Sequence, residues 1–466
     1  MLPATSMQSG EVLSTLTSSA SKPIVASGET TTAIADVIGR MSVFEGYIGV
    51  LVVSFLVALV ATPLMRRVAV ANGVIDRPSE ARKMHSMPIA YLGGVAVYLG
   101  LVAGIFYSFV ASRFDGLIQW HPTRFVGDFG SPFPVPMSVI LGLTVIMLVG
   151  VIDDVAHISP RVKIGGQLIG AAALAIDNVG VKLAQGMLLP LAKALGVQPT
   201  MLPGDYETLL IRIPLPVPLG GLDAIPIDCI YWIGTGIIAI AVLGLCNASN
   251  LIDGLDGLLS GTTAIAATGL LVVALGLAAI DDGTRDAQRV VLCLALLGAC
   301  LGFLPHNFNP ATIFLGDAGS LMMGFCTCAI ILSLGDTGKT FLVLAGLVIY
   351  AVPIIDTSLA IVRRKMEGKS ISSADDQHLH HMLKRALGVK GAVLSLYGIA
   401  AAFAAMGAGI TLLRARIIYV LAMVLAAFIG VTAIKIARKK TIEAQAAASD
   451  ARSRAARSGP ASQPDA

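Results

Sequence analysis

Apolar runs close to twenty residues long recur along this chain, and few folds can shelter them. Inside a bilayer no water satisfies backbone N–H and C=O groups, so a spanning segment must be a helix or a strand of a closed barrel. Here the runs are continuously apolar rather than alternating, which excludes the barrel. Of 466 residues, 55% are hydrophobic and 13% charged, and the mean hydropathy of +0.81 is too high for a water-soluble domain. The chain therefore reads as an all-α polytopic membrane protein. Its spans are expected at about 44–64, 89–111, 135–152, 164–176, 229–246, 261–280, 288–304, 320–335, 340–360, 389–412 and 417–435, eleven in all, with the fourth the shortest.

Composition divides the rest. Residues 1–43, rich in Ser, Thr, Ala and Gly, lack the charged start and apolar core of a secretory signal and read as a flexible extension, with Met41 an alternative start to Met1. Residues 44–435 form the membrane domain, and 436–466 an Ala- and Arg-rich disordered tail. Lys and Arg concentrate in 65–88, 153–163, 361–388 and the tail, which puts these on the cytoplasmic side of the cell's inner membrane and the N-terminus outside. A net charge of +4 without a basic, aromatic-laced stripe gives no reason to expect nucleic acid. The six cysteines lie in or beside apolar segments and read as small buried hydrophobes. The long external connection 177–228 carries alternate prolines over 211–221, which suggests an extended edge or hairpin rather than a helix.

Against this apolar background, Asn247-Ala-Ser-Asn250-Leu-Ile-Asp253-Gly-Leu-Asp256-Gly257 stands out. A charged residue in the bilayer costs roughly 2.5–3.5 kcal/mol even on lenient scales, so such a run is expected to serve function. Asn250, Asp253 and Asp256 are spaced three apart and share one face of a helix or loosened turn. That face is hard oxygen, suited to Mg²⁺ or to a polar ligand.

The charge count puts three more polar clusters on the same side without having used their acids. Asp153-Asp154 ends the third span. Adjacent carboxylates raise one another's pKa unless a cation neutralises them, which points to metal binding, general-base work or a neighbouring phosphate. Ser159-Pro160 reads as the N-cap and first turn of the next helix. His306-Asn307-Phe308-Asn309-Pro310 leads to Phe314-Leu-Gly316-Asp317-Ala-Gly319, where flanking glycines mark Asp317 as a metal ligand on a closely approaching loop. His378-Leu-His380-His381 lies in the most basic loop, and cations around the rings favour phosphate binding or proton handling over a transition metal. Helical spacing would put His378 and His381 on one face. Lys83 and His85, ahead of Gly93-Gly94, read as anion-binding. Carboxylates, amides, a lysine and histidines at one face form the inventory for Mg²⁺-dependent phosphoryl transfer.

Taken in order, Asp76-x-Pro78…Arg82-Lys83-x-His85, Gly150-x-x-Asp153-Asp154…Lys163, Asn247-x-x-Asn250-x-x-Asp253-Gly-x-Asp256-Gly and Gly316-Asp317-x-Gly-Ser resemble the polyprenyl-phosphate N-acetylhexosamine-1-phosphate transferases, over about residues 44–435. His378-x-His380-His381 is similar to the WecA/TagO-like branch rather than the MraY branch, which acts on UDP-N-acetylmuramoyl-pentapeptide. The resemblance implies transfer of N-acetylglucosamine-1-phosphate from a UDP-sugar to undecaprenyl phosphate, with Mg²⁺ or Mn²⁺, as the first step of a cell-envelope glycan. It implies that Asn250 and Asp317 hold the metal and that Asp256 and Asn307 contact uracil with Phe314 near the base. Lys83, His85, Asp253 and His378 would bind substrate, and Asp153, Asp154, His380 and His381 would be catalytic. The partners it implies are the UDP-sugar, the lipid phosphate and the bilayer, with a homodimer also open. A cation-coupled transporter is the competing class, but its acids would lie mid-span, and no internal repeat marks inverted halves.

Overall fold

The computed structural model describes residues 44–76, 88–114, 117–118, 133–202, 206–219, 222–280, 285–366, 368, 370, 378–413, 417–432 and 434–435. The N-terminal extension, the tail over 436–466, Lys83 and His85 lie outside the described residues. Among the described residues thirteen α-helices follow one another: α1 (Ile48–Ala71), α2 (Gly93–Ala111), α3 (Met137–Ala156), α4 (Pro160–Ile176), α5 (Lys182–Ala194), α6 (Cys229–Ile252), α7 (Leu258–Ala279), α8 (Asp286–Asn307), α9 (Gly316–Ser333), α10 (Thr340–Ile349), α11 (Ala351–Met366), α12 (Leu379–Leu413) and α13 (Ile417–Thr432). Among the described residues, eight of these (α1, α2, α3, α6, α7, α8, α9 and α12) are long and apolar enough to cross a membrane. The chain is a multi-pass membrane protein. Helix α4, at 17 residues, and α13 are shorter than these eight.

The expected single span at 340–360 is in fact two helices, α10 and α11, bent by 82° at Tyr350. Pro353 explains where the chain can restart. It sits in the first turn of α11, where its missing N–H leaves no hydrogen bond unmade. The bend carries Asp356 from an apolar stretch to the polar end of the bundle. In α12, Gly388 interrupts the helix with φ +73° and ψ 177°, so the histidine segment stands on its own short helix before the apolar span.

Helix α9 is the axis of the bundle, with every residue from Ala318 to Ser333 buried. Around it pack α2, α3, α6 and α8. Helix α1 lies outermost. Ile48, Val52, Leu56, Val60, Leu64 and Val68 repeat every four residues along it and stay exposed, as a face against acyl chains requires. Its inner side meets α2 and α8 through small residues. A Cβ on Gly104 would stand 1.9 Å from Ser54 Oγ, and one on Gly302 would stand 2.3 Å from the Phe55 carbonyl oxygen. With lipid offering no hydrophobic gain on association, such backbone approach supplies the packing energy.

The end away from the polar clusters is closed by ion pairs and short strands. Arg285 bonds Asp336 at 3.1 Å, and buried Arg289 donates twice to the Ser333 carbonyl, at 3.1 and 3.0 Å, and once to Asp286 at 2.9 Å. The connection 177–228 does form the expected hairpin: β5 (Leu210–Leu219) pairs antiparallel with β6 (Leu222–Asp228), and a smaller pair joins β3 (Thr200–Leu202) to β4 (Tyr206–Thr208). It also contains helix α5, which the proline pattern downstream gave no reason to expect. The remaining strands, β1 (Ile75–Asp76) and β2 (Ile89–Ala90), pair antiparallel at the polar end. All six cysteines are free, five of them buried, as their apolar settings suggested.

Candidate active site

Where α3, α6 and α9 end or begin together, one carboxylate organises the others. Asp317 lies in the first turn of α9. Its Oδ2 accepts from Lys163 Nζ at 2.6 Å and its Oδ1 from Asn250 Nδ2 at 2.8 Å. Asn250 also donates to Ser320 Oγ at 3.0 Å. Lys163, in the first turn of α4, bridges to Asp153 Oδ2 at 2.7 Å. Asp153, Asp317, Asn250 and Lys163 thus come from four helices into one contiguous group.

Asp154 has a different task from its neighbour. Its Oδ1 accepts the Asp317 backbone N–H at 2.8 Å and its Oδ2 that of Ala318 at 3.1 Å. It caps α9 from another helix, satisfying two of the N–H groups that a helix start leaves open and placing negative charge at the positive end of the helix dipole. Asp317 itself, in the first turn of α9, is thus left free of the capping work. Gly316 makes the junction possible, since its φ is +72° and a Cβ there would stand 2.5 Å from Asp154 Oδ2. Ser159 holds the N-cap position of α4 with Pro160 behind it, although its side chain makes no cap bond.

The Asn247–Gly257 run forms the end of α6 and the turn into α7. Asp253 is half-buried and makes no hydrogen bond among the described residues. Burial, then the charges of Asp317, Asp154 and Asp256, push its carboxyl up to about 8. Asp256 Oδ2 accepts from Asn309 Nδ2 at 2.9 Å and from the Ala311 N–H at 3.1 Å, which ties this turn to the 305–315 loop and leaves Oδ1 without a bond there. Asn307 is buried and fully employed within the fold. Its oxygen accepts from the Gly257 N–H and Ser260 Oγ, and its amide donates to the Ile313 carbonyl at 3.1 Å. The structure therefore makes Asn307 a strut of this loop.

Phe314 is half-buried, edge-on to Tyr91 with ring centroids 5.9 Å apart. Strand β2 continues the same loop, as the Phe314 N–H donates to the Ala90 carbonyl at 2.8 Å. The segment carrying Lys83 and His85 lies outside the described residues, but its described ends, Asp76 and Ile89, pair beside this loop. Gly93 and Gly94 do permit close approach, though to protein. Their N–H groups donate to the carbonyls of Phe314 and Leu315.

In the histidine segment, His378 and His380 share a partner that the sequence reading missed. Both Nδ1 atoms reach Asp356 Oδ2, at 2.9 and 3.2 Å. The rings of His378 and His380 stack with centroids 5.2 Å apart, and all three of these residues are buried. His378 precedes α12, which begins at Leu379, yet its ring still meets that of His381 edge-on, with centroids 6.1 Å apart, as the three-residue spacing suggested. His381 is half-buried against the ring of His380, centroids 4.3 Å apart. The signal for Asp356 was present all the same: a lone acid inside an expected span.

The sequence profile of glycosyl transferase family 4 matches residues 136–335, which hold Asp153 through Asp317. A decaprenyl-phosphate N-acetylglucosaminephosphotransferase of Mycolicibacterium smegmatis is 31% identical over 341 residues, covering 69% of this chain and 71% of the relative. The chain belongs to glycosyl transferase family 4. Within that family it is also similar to an undecaprenyl-phosphate alpha-N-acetylglucosaminyl 1-phosphate transferase of Escherichia coli O157:H7, 26% identical over 69% of this chain and 72% of the relative. A phospho-N-acetylmuramoyl-pentapeptide-transferase of Bacillus cytotoxicus is 26% identical over 71% and 87%.

One further contact in this family 4 site is open to test. Tyr397, from α12, donates its hydroxyl to the Gly257 carbonyl and so braces the α6–α7 turn. Tyr397→Phe is expected to lower stability by about 1 kcal/mol, the ordinary worth of such a bond. Thermal unfolding in detergent measures this.

Proposed function

We propose that this protein transfers N-acetylglucosamine-1-phosphate from UDP-N-acetylglucosamine to undecaprenyl phosphate and releases UMP. The relatives named for N-acetylglucosamine-phosphate transfer support this donor, and 31% identity to one of them exceeds the 26% to the muramoyl-pentapeptide enzyme. The observation that carries the reading is the group centred on Asp317. It joins α3, α4, α6 and α9 through carboxylates, an amide and a lysine at one end of a membrane bundle. A transporter would need its acids within the spans, whereas these stand at the helix ends.

In the proposed reaction an oxygen of the lipid phosphate attacks the β-phosphorus of the donor. A new P–O bond forms as the bond from the β-phosphorus to the bridging oxygen breaks, and that oxygen leaves with UMP. The acceptor is already anionic near neutral pH, so positioning and charge neutralisation matter more than deprotonation. Lys163, held between Asp153 and Asp317, would meet the acceptor phosphate there. Asp256, with Oδ1 open, would face the nucleobase beside Phe314.

The residues fit Mg²⁺. Asp317, Asp153 and the Asn250 oxygen form a hard donor set, and beyond its burial Asp253 also feels the charges of Asp317, Asp154 and Asp256 gathered around it. Asn250 and Asp317 would hold the ion, Asn250 offering its oxygen in place of the amide nitrogen that now donates. When bound, the ion neutralises diphosphate charge. The site would open to the cytoplasm of the inner membrane, where the sugar nucleotide is made.

Purified protein with radiolabelled UDP-N-acetylglucosamine, undecaprenyl phosphate and Mg²⁺ should yield lipid-linked label and UMP, and omission of divalent cation should stop both. Turnover only with UDP-N-acetylmuramoyl-pentapeptide would move the donor assignment to the other branch. Counterflow in liposomes without UMP release would refute transfer altogether.

A further inference from the structure

Asp356 has no place in the chemistry above, yet its surroundings are those of a working residue. It is 1% exposed within α11, where a carboxylate costs heavily unless it is partnered. Three donors converge on it. His378 and His380 reach Oδ2, and the Leu379 N–H donates to Oδ1 at 2.7 Å. An ionised carboxylate only accepts, so both rings must carry their proton on Nδ1. That fixes the tautomer and leaves Nε2 as the atom each ring turns away from Asp356.

His380 shows where that atom goes. A Cβ built on Gly254 would stand 2.6 Å from His380 Nε2, so the ring edge is pressed onto the backbone between Asp253 and Asp256. Only the lack of a side chain at 254 lets it sit there. The 82° bend between α10 and α11 is what brings Asp356 beneath the histidines. Two segments far apart in sequence, 253–256 and 378–381, thereby meet at His380, which the buried acid holds from its other edge.

We propose that Asp356 is a positioning residue for the transfer reaction: it locks the tautomer and orientation of His380, so that the His380 Nε2 is held at the Asp253–Asp256 loop of the donor site. This rests on the functional reading above. Asp356 itself touches neither substrate. It acts as a carboxylate does behind a catalytic or ligating imidazole, selecting which nitrogen faces outward.

The same three side chains could instead hold a metal, since their donor atoms lie within 4.8 Å of one another. Hydrogen bonding is favoured because the Nδ1–Oδ2 separations of 2.9 and 3.2 Å are those of direct bonds and the Leu379 N–H already claims the other oxygen. The two cases separate by experiment.

Asp356→Asn keeps the shape but presents an amide that cannot accept on both atoms. In full-length protein in detergent it is expected to lower kcat roughly 10²–10³-fold, within the range for loss of a positioned proton-transfer group. KM for undecaprenyl phosphate should stay within about twofold of wild type, and UDP affinity by calorimetry should fall. The double variant with His380→Asn should be no worse than His380→Asn alone. Gly254→Ala, which displaces His380 while leaving Asp356 in place, should reproduce the kcat loss, and it decides the matter should Asp356→Asn fail to fold.

Unchanged kcat in the folded fraction with only a lower melting temperature would reduce Asp356 to a structural strut and overturn the proposal. Additive losses in the double variant would also overturn it. So would one zinc per chain in the wild type that Asp356→Asn loses. Wild-type protein that releases no UMP defeats the functional reading instead, and the UDP-affinity comparison then still decides whether Asp356 positions His380.

Discussion

Asp317→Asn is expected to stop transfer by about 10³-fold or more while the protein still inserts and folds. The expectation follows from what the substitution removes and what it keeps. An asparagine preserves the shape of the first turn of α9, and the backbone N–H that Asp154 caps is untouched. What goes is the negative charge that Lys163 and Asn250 both address. Lys163 would then be left to Asp153 alone, drawing the lysine away from the junction, and a divalent cation would lose its only charged ligand on α9. Label transfer to lipid is the measurement, with an unchanged elution profile and melting temperature as the control. Turnover near that of the wild type would remove Asp317 from the centre of the site. Asp154→Asn should be inactive for another reason. Its amide would meet the Asp317 or Ala318 N–H donor to donor, so the start of α9 would shift and stability would fall as well.

The second large effect concerns a residue with no chemistry. Gly150, in α3, faces α9 so closely that a Cβ would stand 2.3 Å from the Ala318 Cα and 2.4 Å from its backbone nitrogen. Neither atom belongs to a flexible side chain, so the helices must part. Gly150→Ala is expected to cost stability at the upper end of the roughly 1–3 kcal/mol typical of overpacking. It should cost activity far more, because Asp154 lies one turn further along and would be pulled off its cap. Gly165→Ala, in α4, is the matched control. Nothing lies within 4 Å of that position, so the helix should gain slightly. If Gly150→Ala purifies with full activity, the contact between α3 and α9 is looser than the structure shows.

The residue types of the site were legible in the sequence because membrane segments make polar residues conspicuous. Asp153, Asp154, Asn250, Asp253, Asp256, Asp317 and the histidines could all be picked out, and the structure gathers them at one end of the bundle. What each one does there was not legible. Adjacent Asp153 and Asp154 look alike in sequence, yet one pairs with Lys163 and the other caps α9, and only the packing angle between helices separates them. Asn307 stands in sequence as one more amide of a polar cluster, and only the fold shows that it ties Ser260 to Ile313. The bend at Tyr350 was invisible for a similar reason, since apolar runs on both sides add up to the length of one ordinary span. Asp356 was therefore read as part of that span. Helix α5 was hidden by the prolines that follow it.

The cap on α9 has a consequence for how activity arises as the chain is made. Asp154 is synthesised well over a hundred residues before the backbone it holds, and it closes the site only when α9 arrives against α3. A chain cut short before α9 would hold Asp153, Lys163 and Asn250 without the residue at their centre. Arrival of the most buried helix is therefore what completes the group, so that its assembly and that of the bundle are a single event in space.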